Sequence, residues 1–135
     1  MRGVELTSNP KFAAFMATEF LPWVRQTLNI TPSGRRTLLS GSSYGGLASL
    51  YIATQYPHDF GKVLSQSGSF WWGPDKDHSE WLTHQIKRSF HQPIEIYMNA
   101  GVFETKPEVR QHSPDQPYFI SDAQRQRLFG CIQEK

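Results

Sequence analysis

One cysteine, Cys131, stands in the 135 residues. A lone thiol excludes an internal disulfide and a cysteine-built metal centre, and a reducing, cytoplasmic setting is the default expectation. Charge is also sparse, at 19% of residues, with fourteen Lys and Arg against twelve Asp and Glu for a net +2. No strong field of one sign results, so composition makes no case for nucleic acid as a partner. No apolar run approaches the roughly 18 residues of a membrane span. The opening Met-Arg-Gly-Val-Glu-Leu-Thr-Ser has no apolar stretch of the kind that marks a signal peptide. Aromatics are plentiful instead, at 13%. Four Trp, nine Phe and five Tyr need a core or a ligand to rest against.

Asn9-Pro10 is a strong helix start, because Asn caps well and Pro suits the first helical position. Phe12, Phe15, Met16, Phe20, Val24 and Leu28 follow at spacings of three and four, which predicts an amphipathic helix over about 10–29 lying on something larger. Pro22 within it predicts a kink near Thr18, whose carbonyl loses its donor. Short apolar runs at 37–40, 62–67 and 94–99 alternate with helices at 46–56 and 77–90. That alternation predicts an α/β fold: about three adjacent parallel strands covered by helices. Lys106 to Pro117 is proline-rich and without apolar period, so residues 106–135 read as a separate tail with one possible short helix, and 1–105 as the folded domain.

Gly41-Ser42-Ser43-Tyr44-Gly45 has the form Gly-x-Ser-x-Gly. The bare pattern arises by chance in about one chain in twenty of this length at ordinary usage. Its context is more telling, because a strand ends just before it and a helix starts just after. This is the strand–turn–helix arrangement that presents a nucleophilic serine in α/β-hydrolases. Ser43 is the central position, with Ser40 and Ser42 suited to local backbone groups. Steric room requires glycine on both sides of so tight a turn. The competing reading is a serine that merely caps the following helix. In such folds the chain order is serine, acid, histidine. Glu104 is the first carboxylate beyond the 94–99 strand and the expected acid, unless it is only a solvated loop residue. His58, His78, His84 and His91 come too early, and His112 is the only histidine after Glu104.

Further runs extend the pattern. Arg36 to Ala48 and Val63-Leu64-Ser65-Gln66-Ser67-Gly68-Ser69-Phe70-Trp71-Trp72 resemble the putative-esterase family, in particular its enterochelin (ferric-siderophore) esterase branch. Glu5-Leu6-Thr7, Phe20-Leu21-Pro22-Trp23-Val24 and Gly101-Val102-Phe103-Glu104-Thr105 are similar to segments of the same branch. The resemblance implies an esterase that opens the trilactone of catecholate siderophores, acting on a small-molecule ester without metal or cofactor. It implies Ser43 as nucleophile, Glu104 as acid and the Tyr44 amide as an oxyanion donor. Trp71 and Trp72 would lie near the pocket, where flat rings suit catechols. The family's upstream half, with its second oxyanion donor, and its Gly-Gly-His-Asp-type segment have no counterpart here. The chain therefore reads as a partial C-terminal portion, weakly active or inactive by itself. A non-catalytic interaction fragment and an acyl transferase on the same fold are the alternatives.

Overall fold

The computed structural model describes residues 2–89 and 92–101. These fall into two compact units, residues 2–68 with 92–99 and residues 69–89 with 100–101. The expected division at residue 105 and the tail beyond it lie outside the described residues.

The first unit opens with a short helix, α1 (Arg2–Glu5), and then α2 (Pro10–Phe15). The Asn9 side chain accepts the Lys11 and Phe12 amides at 2.9 and 3.2 Å, so the predicted cap forms. A π-helical turn, Met16–Phe20, joins α2 to α3 (Leu21–Thr27). Here the effect expected of Pro22 takes a specific form. Helical dihedrals run on through Met16, Phe20 and Leu21, while the Leu21 amide reaches back five residues to the Met16 carbonyl. The wider turn makes room for the proline ring where an α-helical turn would clash.

The buried stripe of this helical segment differs from the expected one. Ala13, Ala17 and Leu21 are buried, at a spacing of four, whereas Phe15, Phe20 and Leu28 are exposed. Small side chains let α2 pack closely on the helix that follows β1. The displaced aromatics instead touch one another, with ring centroids 6.1–6.3 Å apart along Phe12, Phe15, Phe20 and Trp23.

Strands β1 (Leu38–Ser42), β2 (Lys62–Gln66) and β3 (Glu95–Asn99) form a parallel sheet in the order β1-β2-β3. This is the predicted α/β arrangement, offset by one or two residues at β1. The register aligns Leu39, Val63 and Ile96 in one row and Gly41, Ser65 and Met98 in another. Those rows face inward, and α4 (Tyr44–Gln55) contacts both β1 and β2. Eight consecutive residues of α4, Gly46 to Ala53, are buried, so this helix is enclosed on all sides. In the alternate rows Leu38, Ser40 and Ser42 of β1 and Glu95, Tyr97 and Asn99 of β3 are exposed. At the amino end of the sheet Lys62 and Glu95 pair at 2.9 Å, which lowers the Glu95 carboxyl below its ordinary range and raises the Lys62 ammonium.

The second unit holds the aromatic loop, a 3-10 turn at Lys76–His78 and α5 (Trp81–Arg88). The helix predicted over 77–90 is thus shorter and starts later. Asp75 accepts the Asp77 and His78 amides and also pairs with the His78 ring, so its carboxyl titrates low. Amides of Glu80 and Trp81 donate to the carbonyls of Trp71 and Trp72, which fastens the two tryptophans to the head of α5.

Candidate active site

The parallel register brings the carboxyl ends of all three strands to one edge, where Ser42, Gln66 and Asn99 stand side by side. Ser43 leaves β1 at this edge and is exposed. Its backbone takes φ 55° and ψ −121°, a left-handed conformation that a residue with a Cβ seldom adopts. Two hydrogen bonds fix it there. Its amide donates to the Gln66 carbonyl at 3.0 Å, and its carbonyl accepts from the Leu47 amide at 3.1 Å. The Ser43 side chain makes no capping hydrogen bond to α4. The capping reading therefore fails on geometry, and Ser43 stands exposed in a strained turn at a helix N-terminus.

The glycines around this turn divide differently from expectation. A Cβ at Gly41 would overlap the backbone of Gly45, so Gly41 is required. At Gly45 itself nothing lies within 4 Å, so the expected steric need is absent there. The second tight position is Gly46, where a Cβ would overlap the Ser65 hydroxyl and sit 3.1 Å from the Gly41 carbonyl oxygen and from the Gly68 Cα.

Tyr44 occupies the first position of α4. Helix N-terminal amides carry partial positive charge, which favours a developing oxyanion. Glu104, His91 and His112 lie outside the described residues. His58 sits in the loop before β2, its carbonyl against Gly34 beside the amino ends of the strands, and so at the edge opposite Ser43. His78 and His84 belong to the second unit, as do Trp71 and Trp72, both half-buried. Among the described residues no group of three or more His, Cys, Asp or Glu side chains could hold a metal ion. None of the described helices is long and apolar enough to cross a membrane.

One residue at this edge was not singled out by sequence. Ser67, directly after β2, is also left-handed, with φ 44°. The only hint was the Ser-Gly pair that follows the strand.

A profile of the family described as Putative esterase matches residues 2–127. The chain belongs to this esterase family. Over 106 residues this esterase chain is 37% identical to the iron(III) enterobactin esterase of Escherichia coli O6:H1 (strain CFT073), covering 76% of this chain and 26% of that protein. The iron(III) salmochelin esterase of the same strain is 30% identical, with 78% of this chain and 29% of that protein covered. Among solved structures, the enterobactin esterase of Shigella flexneri in the presence of 2,3-dihydroxy-N-benzoyl-serine superposes with a TM-score of 0.75 at 28% identity. That match covers 97% of this chain and 31% of the other. The chain thus spans less than a third of the length of these relatives, and its fold is that of a region of them.

Proposed function

We propose that this chain carries the nucleophile-bearing core of a serine esterase acting on catecholate siderophore esters. The observation that carries the proposal is Ser43: exposed, left-handed, uncapped, and set between a strand end and a helix N-terminus. Relatives described as enterobactin and salmochelin esterases support the substrate class.

In this reading the Ser43 hydroxyl attacks the ester carbonyl carbon, and its proton passes to an imidazole base. The carbonyl oxygen becomes an oxyanion held by the Tyr44 amide. Collapse of the tetrahedral intermediate releases the alcohol, which takes the proton back from the base, and leaves an acyl-serine for water to hydrolyse. Glu104 is the carboxylate that orients the imidazole and stabilises its charged form. His112 is the first base to test, since it alone among the histidines follows Glu104. Trp71 and Trp72 offer flat faces to catechol rings. In this reading the reaction takes place in the cytoplasm.

An unassisted hydroxyl is a poor nucleophile, and a single oxyanion donor contributes roughly 3–4 kcal/mol. The chain alone is therefore expected to hydrolyse neither p-nitrophenyl esters nor a catecholate trilactone above background. The test is a chimera in which this chain replaces its matched stretch in the E. coli O6:H1 enterobactin esterase. Chromatography should show 2,3-dihydroxybenzoyl-serine released from the trilactone, with turnover falling on the order of 10⁴-fold or more for Ser43→Ala. Turnover that survives Ser43→Ala, or transfer of the acyl group to an added alcohol in place of hydrolysis, would refute the proposal.

A further inference from the structure

The run Gln66-Ser67-Gly68 is a motif that the chemistry above leaves without a role. Ser67 has φ 44°, a backbone state that disfavours any residue with a Cβ and is most common for Gly, Asn and Asp. It lies within a connected set of contacts. The Ser67 amide donates to the Asn99 carbonyl at 2.9 Å, tying the tip of β2 to the tip of β3. The carbonyl immediately before it, that of Gln66, accepts the Ser43 amide at 3.0 Å. On the inner side Ser65 is fully buried against Gly46, and Gly68 approaches the same glycine. The tip of β2 therefore holds the Ser43 amide while its flanking residues close around the first turn of α4.

We infer that Ser67 is a positioning residue for the nucleophile turn. Its left-handed backbone folds Gly68 back over Gly46 and keeps the Gln66 carbonyl aimed at the Ser43 amide. Two strained residues on neighbouring strand ends thus brace one another, and the conformation of the second sets the direction of the first. This inference rests on the reading of Ser43 as the nucleophile. It acts through the backbone of Ser67, so what matters at this position is tolerance of positive φ.

The test is amide hydrogen exchange of the whole chain followed by NMR, comparing Ser43 with Leu64 in the middle of β2. Ser67→Val, a β-branched residue that resists positive φ, should speed Ser43 exchange roughly tenfold or more while Leu64 stays near its original rate. Ser67→Gly and Ser67→Asn, which accept the conformation, should both keep Ser43 exchange at the original rate. Unchanged Ser43 exchange in Ser67→Val would overturn the inference. So would equal acceleration at Ser43 and Leu64, since it reports a general loss of stability. If Ser67→Val does not fold, faster Ser43 exchange in either the Gly or the Asn variant overturns it. Failure of the nucleophile reading is separate, because it appears as turnover insensitive to Ser43→Ala in the chimera and leaves these exchange rates untouched.

Discussion

At Ser43 the chain accepts a backbone state that costs roughly 1–3 kcal/mol, and the exposed side chain does not cap α4. Strain of this kind persists only where the surroundings over-determine it, and here the surroundings are Gly41, Gly46 and the tip of β2. Their roles differ in a testable way. Gly41→Ala forces a Cβ into the Gly45 backbone and should cost about 3 kcal/mol, the upper end of ordinary overpacking. Gly45→Ala meets open space inside a helix and should stabilise by up to about 1 kcal/mol. Urea unfolding of the two variants measures the difference. The Gly-x-Ser-x-Gly spacing marked Ser43 correctly as the centre of a turn. It did not reveal which glycine is sterically required, because that depends on how closely α4 approaches β1 and β2.

The elements show the same boundary between pattern and packing. Strands, helices and their parallel order were legible because short apolar runs alternate with helical periods, and Asn9-Pro10 capped where it should. The face of the α2–α3 segment was not legible. Phe12, Phe15, Phe20 and Leu28 have the stronger apolar period, yet Ala13, Ala17 and Leu21 are the residues buried. Periodicity reports which residues share a face, and small side chains on another face can win when close helix packing rewards them. Ala13→Leu should therefore cost about 1–3 kcal/mol by overpacking, since Ala13 has no exposed surface. Phe15→Ser, at a site 43% exposed, should change stability by no more than about 0.5 kcal/mol. Thermal unfolding of both variants checks the assignment, and the opposite ranking would restore the aromatic stripe as the buried face. Ser67 was hidden for a related reason: the sign of φ at a serine leaves no mark in composition or spacing.

For the molecule as a whole, three parallel strands and an enclosed helix build the sheet edge at which Ser43 stands, within a chain matching 26% of its E. coli enterobactin-esterase relative. The fold was readable from the alternation of short apolar runs and helices through residue 99, and the serine turn and the family from motifs spread between Glu5 and Thr105, while Glu104 and His112 lie beyond the described residues. The claim on which the account depends is that Ser43 is an activated nucleophile once the rest of such an esterase surrounds it. The direct measurement is a fluorophosphonate reaction with the chimera, read by peptide mass spectrometry. The account predicts one stoichiometric adduct on Ser43, lost in Ser43→Ala and absent or slow in the chain by itself. An adduct on Ser42 or Ser67, or trilactone hydrolysis that continues with Ser43 unlabelled, would contradict it.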